Sequence, residues 1–369
     1  MSGANRSLFQ LIRELKEDYN VETVVLAPPS DASFGTIQVA LKEIGVPVIE
    51  TTIWYFKLEN PTVRNVLGYV RFLWKKRHLA DVLRRYHFDI IHSNTSVIDI
   101  GGYLSRKLGI KHVWHFREFG DSDYNLHPIG GLAYERYTYN HADAYIAISK
   151  TIANHFKDKV TSQKIHTIYN GIYLSDDQPI SNHDNSTIQF LCAGFISPVK
   201  NQKEIVQAVD ELVNVRQIPY LFHLTLVGNQ EQQYVEELKS LIRDKKLNKH
   251  IDIMGEVNGI HSLAAKMDVG IMSSRSEAFG RVTIEYQMQN LLVIANNAGA
   301  NPELIQDGVT GLLYEKGNYK ALADKMQWAI EHSLSLREMA QKGKEHAHQF
   351  FTSKRNTKEI YDLYHKLID

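Results

Sequence analysis

At 369 residues the chain is long enough for two domains with separate cores, since single cores stop growing at roughly 250 to 300 residues. Lys plus Arg and Asp plus Glu number 42 each, which excludes a global field directed at nucleic acid or another strongly charged polymer. The single cysteine, Cys192, lies in the apolar run "IQFLCAGF"; it cannot form an internal disulfide and reads as buried filler in a reducing compartment.

In chain order, the sequence opens on a helical pattern over Ser7 to Asp18, preceded by "SGAN" rather than by an apolar strand, so the first sheet is expected to lack its first strand. Short β-branched runs then alternate with amphipathic stretches: "VETVVLA", "GVPVIE", "FDIIHSN", "KHVWHF" and "DAYIAIS" are strand candidates with helices between them. This alternation implies βαβ units and parallel sheets. After "IHTIYNG" comes "IYLSDDQPISNHDNSTI", polar and rich in turn residues, which reads as a linker. The rhythm restarts with "IQFLCAG", "YLFHLTLVG", "HIDIMG", "DVGIMSS" and "LLVIANN". The expected fold is therefore α/β with two parallel-sheet domains, residues 1–175 and 186–349, which leave room for a cleft, and a last helical stretch near 350–369. No terminal segment has a signal-peptide layout and no apolar stretch is long enough to span a bilayer, so a cytoplasmic location is expected.

One stretch carries chemistry. In "SSRSEAFGRVTIEYQMQ" a strand ends, a Phe-Gly turn follows, and a helical pattern begins, with Glu277 and Glu285 on either side of the turn. The first N–H groups of a helix lack intrahelical partners and carry the positive end of its dipole, so anions settle there. Glu285 could reach past a bound phosphate to a ribose diol, and Glu277 would face whatever lies on the phosphate's other side. Spacing alone favours a plainer reading, with Glu285 a solvated helix residue and Glu277 a partner of the dipole.

The neighbouring residues change that balance. "EAFGRVTIE" with the downstream "NNAGANPELIQDGVTGLLY" resembles the donor region of the retaining glycosyltransferases of family 4, the glycosyl transferases group 1 with the two-domain GT-B fold. The resemblance covers nearly the whole chain: "SGANRSL" resembles the family's N-terminal glycine loop, "KHVWHFRE" its acceptor-side histidine segment, "HADAYIAISK" and "IYNG" the end of its first domain, and "GFISPVKNQ" its basic phosphate loop. The resemblance implies two Rossmann-like domains facing across a cleft, with the last helix, near 350–369, crossing back onto the first, and an enzyme that moves a sugar from a nucleotide-diphosphate sugar to a sugar or lipid-linked sugar acceptor with retention, in cell-surface polysaccharide or glycoconjugate assembly. It implies that Glu277 contacts the donor sugar and Glu285 the ribose. The amides of Phe279, Gly280, Arg281 and Val282 would hold the diphosphate, and Lys200 would neutralise the leaving group. Gly3, Ala4 and Gly194 match the loops that approach the phosphates, His115 the histidine beside the transferred sugar, and Arg117 and Glu118 are candidates for acceptor contact. Where the family pattern has an arginine after the loop glycine, this chain has Phe195, so a phosphate contact is missing or comes from Arg275 or Arg281. Asn5 stands at the usual acidic position of the N-terminal loop.

No carboxylate stands out as a nucleophile for double displacement, and the resemblance implies same-face transfer in which the leaving phosphate helps deprotonate the acceptor. Asp121 and Asp123 in "GDSDYN" have the D-x-D spacing of a metal site but lie far in sequence from the phosphate helix, and no metal or other cofactor is expected. No G-x-G-x-x-G or P-loop pattern occurs. A nucleotide-sugar epimerase and a non-catalytic sugar-nucleotide-binding protein are the alternative functions. Finally, 62–85 reads as one helix with an apolar stripe (Val63, Val66, Val70, Leu73, Trp74) and a basic one (Arg64, Arg71, Lys75, His78, Arg85). It is either packed by its apolar stripe on the sheet or laid on an anionic membrane.

Overall fold

The computed structural model describes residues 3–29, 35–60, 62–173, 187–257 and 260–369; most of the expected linker, 174–186, lies outside them. The chain divides into two compact units, one of residues 1–171 with 353–369 and one of 172–352.

The first unit opens directly on helix α1 (Gly3–Tyr19), so Gly3 and Ala4 start a helix rather than form the expected loop. The reason is local: the buried series Ser7, Leu11, Ile12, Leu15 extends the amphipathic face back to the first turn. Then follow β1 (Val25–Ala27), α2 (Gly35–Glu43), β2 (Val48–Glu50), β3 (Lys57–Leu58), α3 (Val63–Leu83), β4 (Ile90–Ser93), α4 (Ile100–Leu108), β5 (Lys111–Phe116), α5 (Asp121–Tyr124), β6 (His127–Pro128), α6 (Gly131–Tyr139), β7 (Ala144–Ala147), α7 (Lys150–Phe156) and β8 (Ile165–Thr167). Among the described residues the parallel strands fall into two sheets, β1-β2 and β4-β5-β7-β8, and an antiparallel pair, β3-β6, stands apart. Helix α1 serves both parallel sheets. Ile12 packs with Ile37, Leu41 and Val46 of the β1-β2 part, while Leu11 and Leu15 pack with Val113, Ala144 and Ile146 of the larger sheet.

The second unit holds β9 (Ile188–Ala193), α8 (Gln202–Asp210), β10 (Phe222–Val227), α9 (Gln232–Asp244), β11 (Ile251–Met254), α10 (Ile260–Ala264), β12 (Val269–Met272), α11 (Arg281–Met288), β13 (Leu292–Asn296), α12 (Asn301–Leu304), β14 (Leu312–Tyr314), α13 (Tyr319–Glu331) and α14 (Ser333–Phe350). Its sheet has six strands, all parallel, in the order β11-β10-β9-β12-β13-β14. That is the doubly wound order, and it reverses between β9 and β12, the point at whose carboxyl edge ligands bind in open α/β sheets. The strands are apolar on both faces, as helices on both sides require. The last helix, α15 (Ser353–Ile368), belongs to the first unit: Ile360 and Leu363 join the α1 core, the Tyr19 and Tyr361 rings lie 4.2 Å apart, and Thr357 Oγ1 donates to buried Glu14 over 2.6 Å. The helical run expected near 350 is thus broken at Phe351–Thr352 before it changes unit.

Candidate active site at the strand-order reversal

At the carboxyl end of β9 the chain turns at Gly194 and forms a short loop whose polar groups are tied to one another. Gln202 donates through its side chain to the Phe195 carbonyl at 3.1 Å and accepts from the Ser197 N–H at 3.3 Å, and Asn201, in a left-handed conformation, opens α8. Strand β12 grips the same loop from the other side of the reversal: Ser273 Oγ donates to the Lys200 carbonyl at 2.8 Å and the Arg275 N–H to the Val199 carbonyl at 2.9 Å. Lys200 is thereby fixed at its backbone while its ammonium reaches Glu277 at 2.5 Å.

Beyond β12 the backbone reverses at Gly280, whose φ of +89° favours glycine, and α11 begins at Arg281 behind this N-cap glycine, which has no side chain to place over the helix start. The start of a helix carries the positive end of its dipole. Arg281 pairs with Glu285 one turn on, at 3.3 Å, so two ion pairs flank the helix start. A cavity of about 30 Å³ beside Lys200, between the ends of β9 and β12 and the first turn of α11, is lined by Gly194, Lys200, Ser273, Ser274 and Val282 together with Cys192. Burial pushes the Cys192 thiol up to about 12, against the nearby Lys200, so it is no nucleophile. The Phe279 ring is buried against Phe351, leaving only its backbone to face a ligand. Phe195 is half-exposed, and of the two arginines considered as substitutes for the missing one, Arg281 is engaged with Glu285 while Arg275 is exposed.

The turn that carries Glu277 leans on residues that sequence reasoning did not single out. The Ala300 N–H donates to the Glu277 carbonyl at 3.0 Å, and buried Asn301 donates to the Asn296 carbonyl at 3.1 Å with its side-chain oxygen 3.2 Å from Thr283 Oγ1. Gly299 makes the approach possible: its φ is +58°, and a Cβ there would lie 2.5 Å from the Glu277 carbonyl. Gly299→Ala is expected to destabilise the protein by about 2 to 4 kcal/mol from left-handed strain and overpacking. Urea unfolding measures this, and a loss below about 0.5 kcal/mol would contradict the geometry. These glycine and asparagine residues lie in the quoted "NNAGANPE", where a run of small and amide side chains was the available signal.

In the first unit, His115 stands near the end of β5 as expected, but its side chain is wholly enclosed. Its Nδ1 is 3.1 Å from His92 Nε2 and 3.4 Å from Arg117 Nη2, His92 Nδ1 is 2.6 Å from the Tyr364 hydroxyl, and His115 Nε2 has no hydrogen-bond partner among the described residues. Arg117 also donates to Asn94 and Asn170, each at 2.7 Å. Glu118 Oε1 accepts from Thr95 Oγ1 and from the N–H and hydroxyl of Ser96 at 2.6 and 2.8 Å. Burial nonetheless raises the Glu118 carboxyl above its ordinary range. Both residues considered for acceptor contact are thus struts within their unit, and His92 and Tyr364 complete a cluster that the sequence reading missed because each stands alone in its segment. Of the D-x-D pair, Asp121 binds Lys159 at 2.8 Å and Asp123 accepts the Phe119 and Gly120 N–H groups at 3.0 and 2.7 Å.

The buried histidines set a pH dependence. Burial, then Arg117 and His92, hold His115 well below the ordinary 6.5, and burial takes His92 and His112 down to about 3. Each ring therefore takes a proton more readily in the unfolded chain. The stability they leave in place is complete above about pH 7.5 and is lost as pH falls from 6.5 toward 3. At pH 5.5 each costs about 1.4 kcal/mol, roughly 4 for the three together. Urea midpoints at pH 7.5 and 5.5 check this; equal midpoints would contradict it.

Comparison with known proteins converges on one assignment. The family described as Glycosyltransferase Family 4 matches residues 1–176 and that described as Glycosyl transferases group 1 matches residues 175–349. N-acetyl-alpha-D-glucosaminyl L-malate synthase of Bacillus anthracis is 22% identical over 307 residues, covering 79% of this chain and 78% of its own. The capsular polysaccharide biosynthesis glycosyltransferase CapH of Staphylococcus aureus is 26% identical over 240 residues, 61% of this chain and 64% of its own. Among solved structures, HepE of Anabaena in complex with UDP and glucose superposes with a TM-score of 0.77 at 22% identity, over 99% of this chain and 96% of that one, a likeness that establishes the GT-B fold. With the two family matches together spanning residues 1–349, the chain belongs to glycosyltransferase family 4 and is a GT-B glycosyltransferase.

Proposed function

We propose that the enzyme transfers a sugar, with retention, from a nucleotide-diphosphate sugar bound at the start of α11 to a sugar or lipid-linked sugar acceptor in cell-surface polysaccharide or glycoconjugate assembly. The observation that carries this reading is the glycine-led helix start flanked by Lys200 with Glu277 and by Arg281 with Glu285, all at the strand-order reversal of the second unit. The HepE structure with UDP and glucose supports a nucleotide-sugar donor, and CapH supports a polysaccharide product.

In this reading the diphosphate rests on the amides of Phe279, Gly280, Arg281 and Val282, near Gly194, and draws Lys200 away from Glu277. Lys200 then balances the charge that develops on the leaving phosphate, a fixed cation acting in place of reorganising water. Glu277, released, accepts hydrogen bonds from the donor sugar, and Glu285 from the ribose. His115, held neutral by its surroundings, offers Nε2 as its one uncommitted polar atom; whichever tautomer it adopts, it brings no charge to the sugar. No carboxylate is assigned as nucleophile, and the likeness to family 4 supports attack and departure on the same face, with the leaving phosphate taking the acceptor proton. Arg117 and Glu118 shape the acceptor side through the loops they brace, and Gly3 and Ala4 contribute the start of α1.

Incubation with UDP-, GDP- and ADP-sugars, with and without oligosaccharide acceptors, tests the proposal. Release of nucleoside diphosphate with an α-configured product from an α-donor is expected. Isomerised donor without release would identify an epimerase, and binding without either would identify a non-catalytic binding protein.

A further inference from the structure

The sequence allowed α3 to pack by its apolar stripe, and the structure overturns that arrangement. The helix buries Tyr69, Phe72, Lys76, Leu79, Ala80 and Leu83, and Lys76 is inside because Asp99 receives it at 3.1 Å alongside the Tyr69 hydroxyl at 2.6 Å. At 100° per residue the centre of that face lies opposite Val63, Leu67, Val70 and Trp74, with Val66 at their edge. All five are exposed, Val63 to 77% and Trp74 to 70%. They form a stripe about 17 Å long. Arg64, Arg71, Arg77 and His78, all exposed, flank it, and Arg77 lies over the Trp74 ring at 5.2 Å. Asp81 is the only acidic residue between 62 and 86.

We propose that this outward face of α3 docks on an anionic lipid surface, Trp74 and the aliphatic side chains entering the headgroup boundary while the arginines meet lipid phosphates. Two features select a bilayer over other occupants. Its flanks carry one sign of charge, so a second copy meeting it across a two-fold axis would set arginines against arginines. An interfacial helix of this kind needs apolar area and cationic flanks but no shape match. No helix among the described residues is long and apolar enough to cross a membrane, so the contact is peripheral.

The test uses the full chain and vesicles of phosphatidylcholine with or without phosphatidylglycerol. The wild type is expected to sediment with the phosphatidylglycerol vesicles at low salt and to be released by salt. Trp74 emission, obtained as the difference from Trp74→Phe because the chain has four tryptophans, is expected to shift to shorter wavelength on binding. The triple variant Arg64→Gln, Arg71→Gln, Arg77→Gln should partition about 100-fold more weakly, roughly fivefold per charge. Leu67→Gln with Val70→Gln should remove the emission shift; all five positions are exposed, and far-ultraviolet circular dichroism confirms that the variants fold. Equal binding to both vesicle types, absence of sedimentation, or undiminished binding by the triple variant would overturn the proposal. So would a solution dimer that Trp74→Glu dissociates, which would assign the stripe to a second copy.

Discussion

Lys200→Ala is expected to lower kcat about 100-fold or more with the protein still folded. The loop that carries Lys200 is held by its backbone, through Ser273 Oγ on the Lys200 carbonyl and the Arg275 N–H on the Val199 carbonyl, so removing the ammonium leaves the loop in place. In the proposed function what is lost is a fixed cation beside the departing phosphate, and one such stabiliser typically contributes about 3 kcal/mol to the barrier. Lys200→Arg should recover part of the rate, because the charge returns with a different reach. Nucleoside diphosphate release at saturating donor gives kcat directly, and thermal unfolding establishes that the variant is intact. A loss within threefold would remove Lys200 from the transition state.

Glu277→Gln should move binding and turnover in opposite directions. Glu277 holds the Lys200 ammonium at 2.5 Å, with the carboxylate side chain only 13% exposed. A diphosphate must compete with that carboxylate for the cation and must also tolerate its charge nearby. The neutral amide removes both costs, and a nucleoside diphosphate without its sugar is expected to bind about tenfold more tightly, a gain of roughly 1.4 kcal/mol. The sugar loses its charged acceptor, so turnover should fall about 100-fold, since charge-assisted hydrogen bonds are about twice as strong as neutral ones and this one is made in a desolvated site. Calorimetric titration with UDP and the release assay read the two halves separately. Weaker UDP binding by Glu277→Gln would show that the carboxylate organises Lys200 for the phosphate rather than competing for it.

Much of the second unit was legible because its strands are nearly continuous apolar runs: "LLVIANN" became β13 at Leu292–Asn296 and "GRVTIEYQMQN" became α11 at Arg281–Met288. In the first unit "KHVWHF" became β5 over the same six residues, whereas "VETVVLA" shrank to Val25–Ala27. There the left-handed Asn20 ends α1 and the Val21 N–H still closes on the Leu15 carbonyl, so the start of the run belongs to the helix terminus. Helix α3 shows the limit of periodicity. Both of its faces carry large apolar side chains, and the choice between them was made by Asp99, 23 positions after Lys76, which gives an interior lysine its partner. Spacing along one helix contains no trace of such a partner. The Lys200–Glu277 pair was hidden for the same reason, since its members lie 77 positions apart on two loops brought together by the strand order.

The most direct test is a crystal structure of the enzyme with UDP bound. The account predicts pyrophosphate oxygens within hydrogen-bond distance of the backbone N–H groups of Arg281 and Val282, the Lys200 ammonium turned from Glu277 onto the phosphate, and the ribose hydroxyls on Glu285. Nucleotide bound elsewhere, or bound here with Lys200 still paired to Glu277, would contradict it.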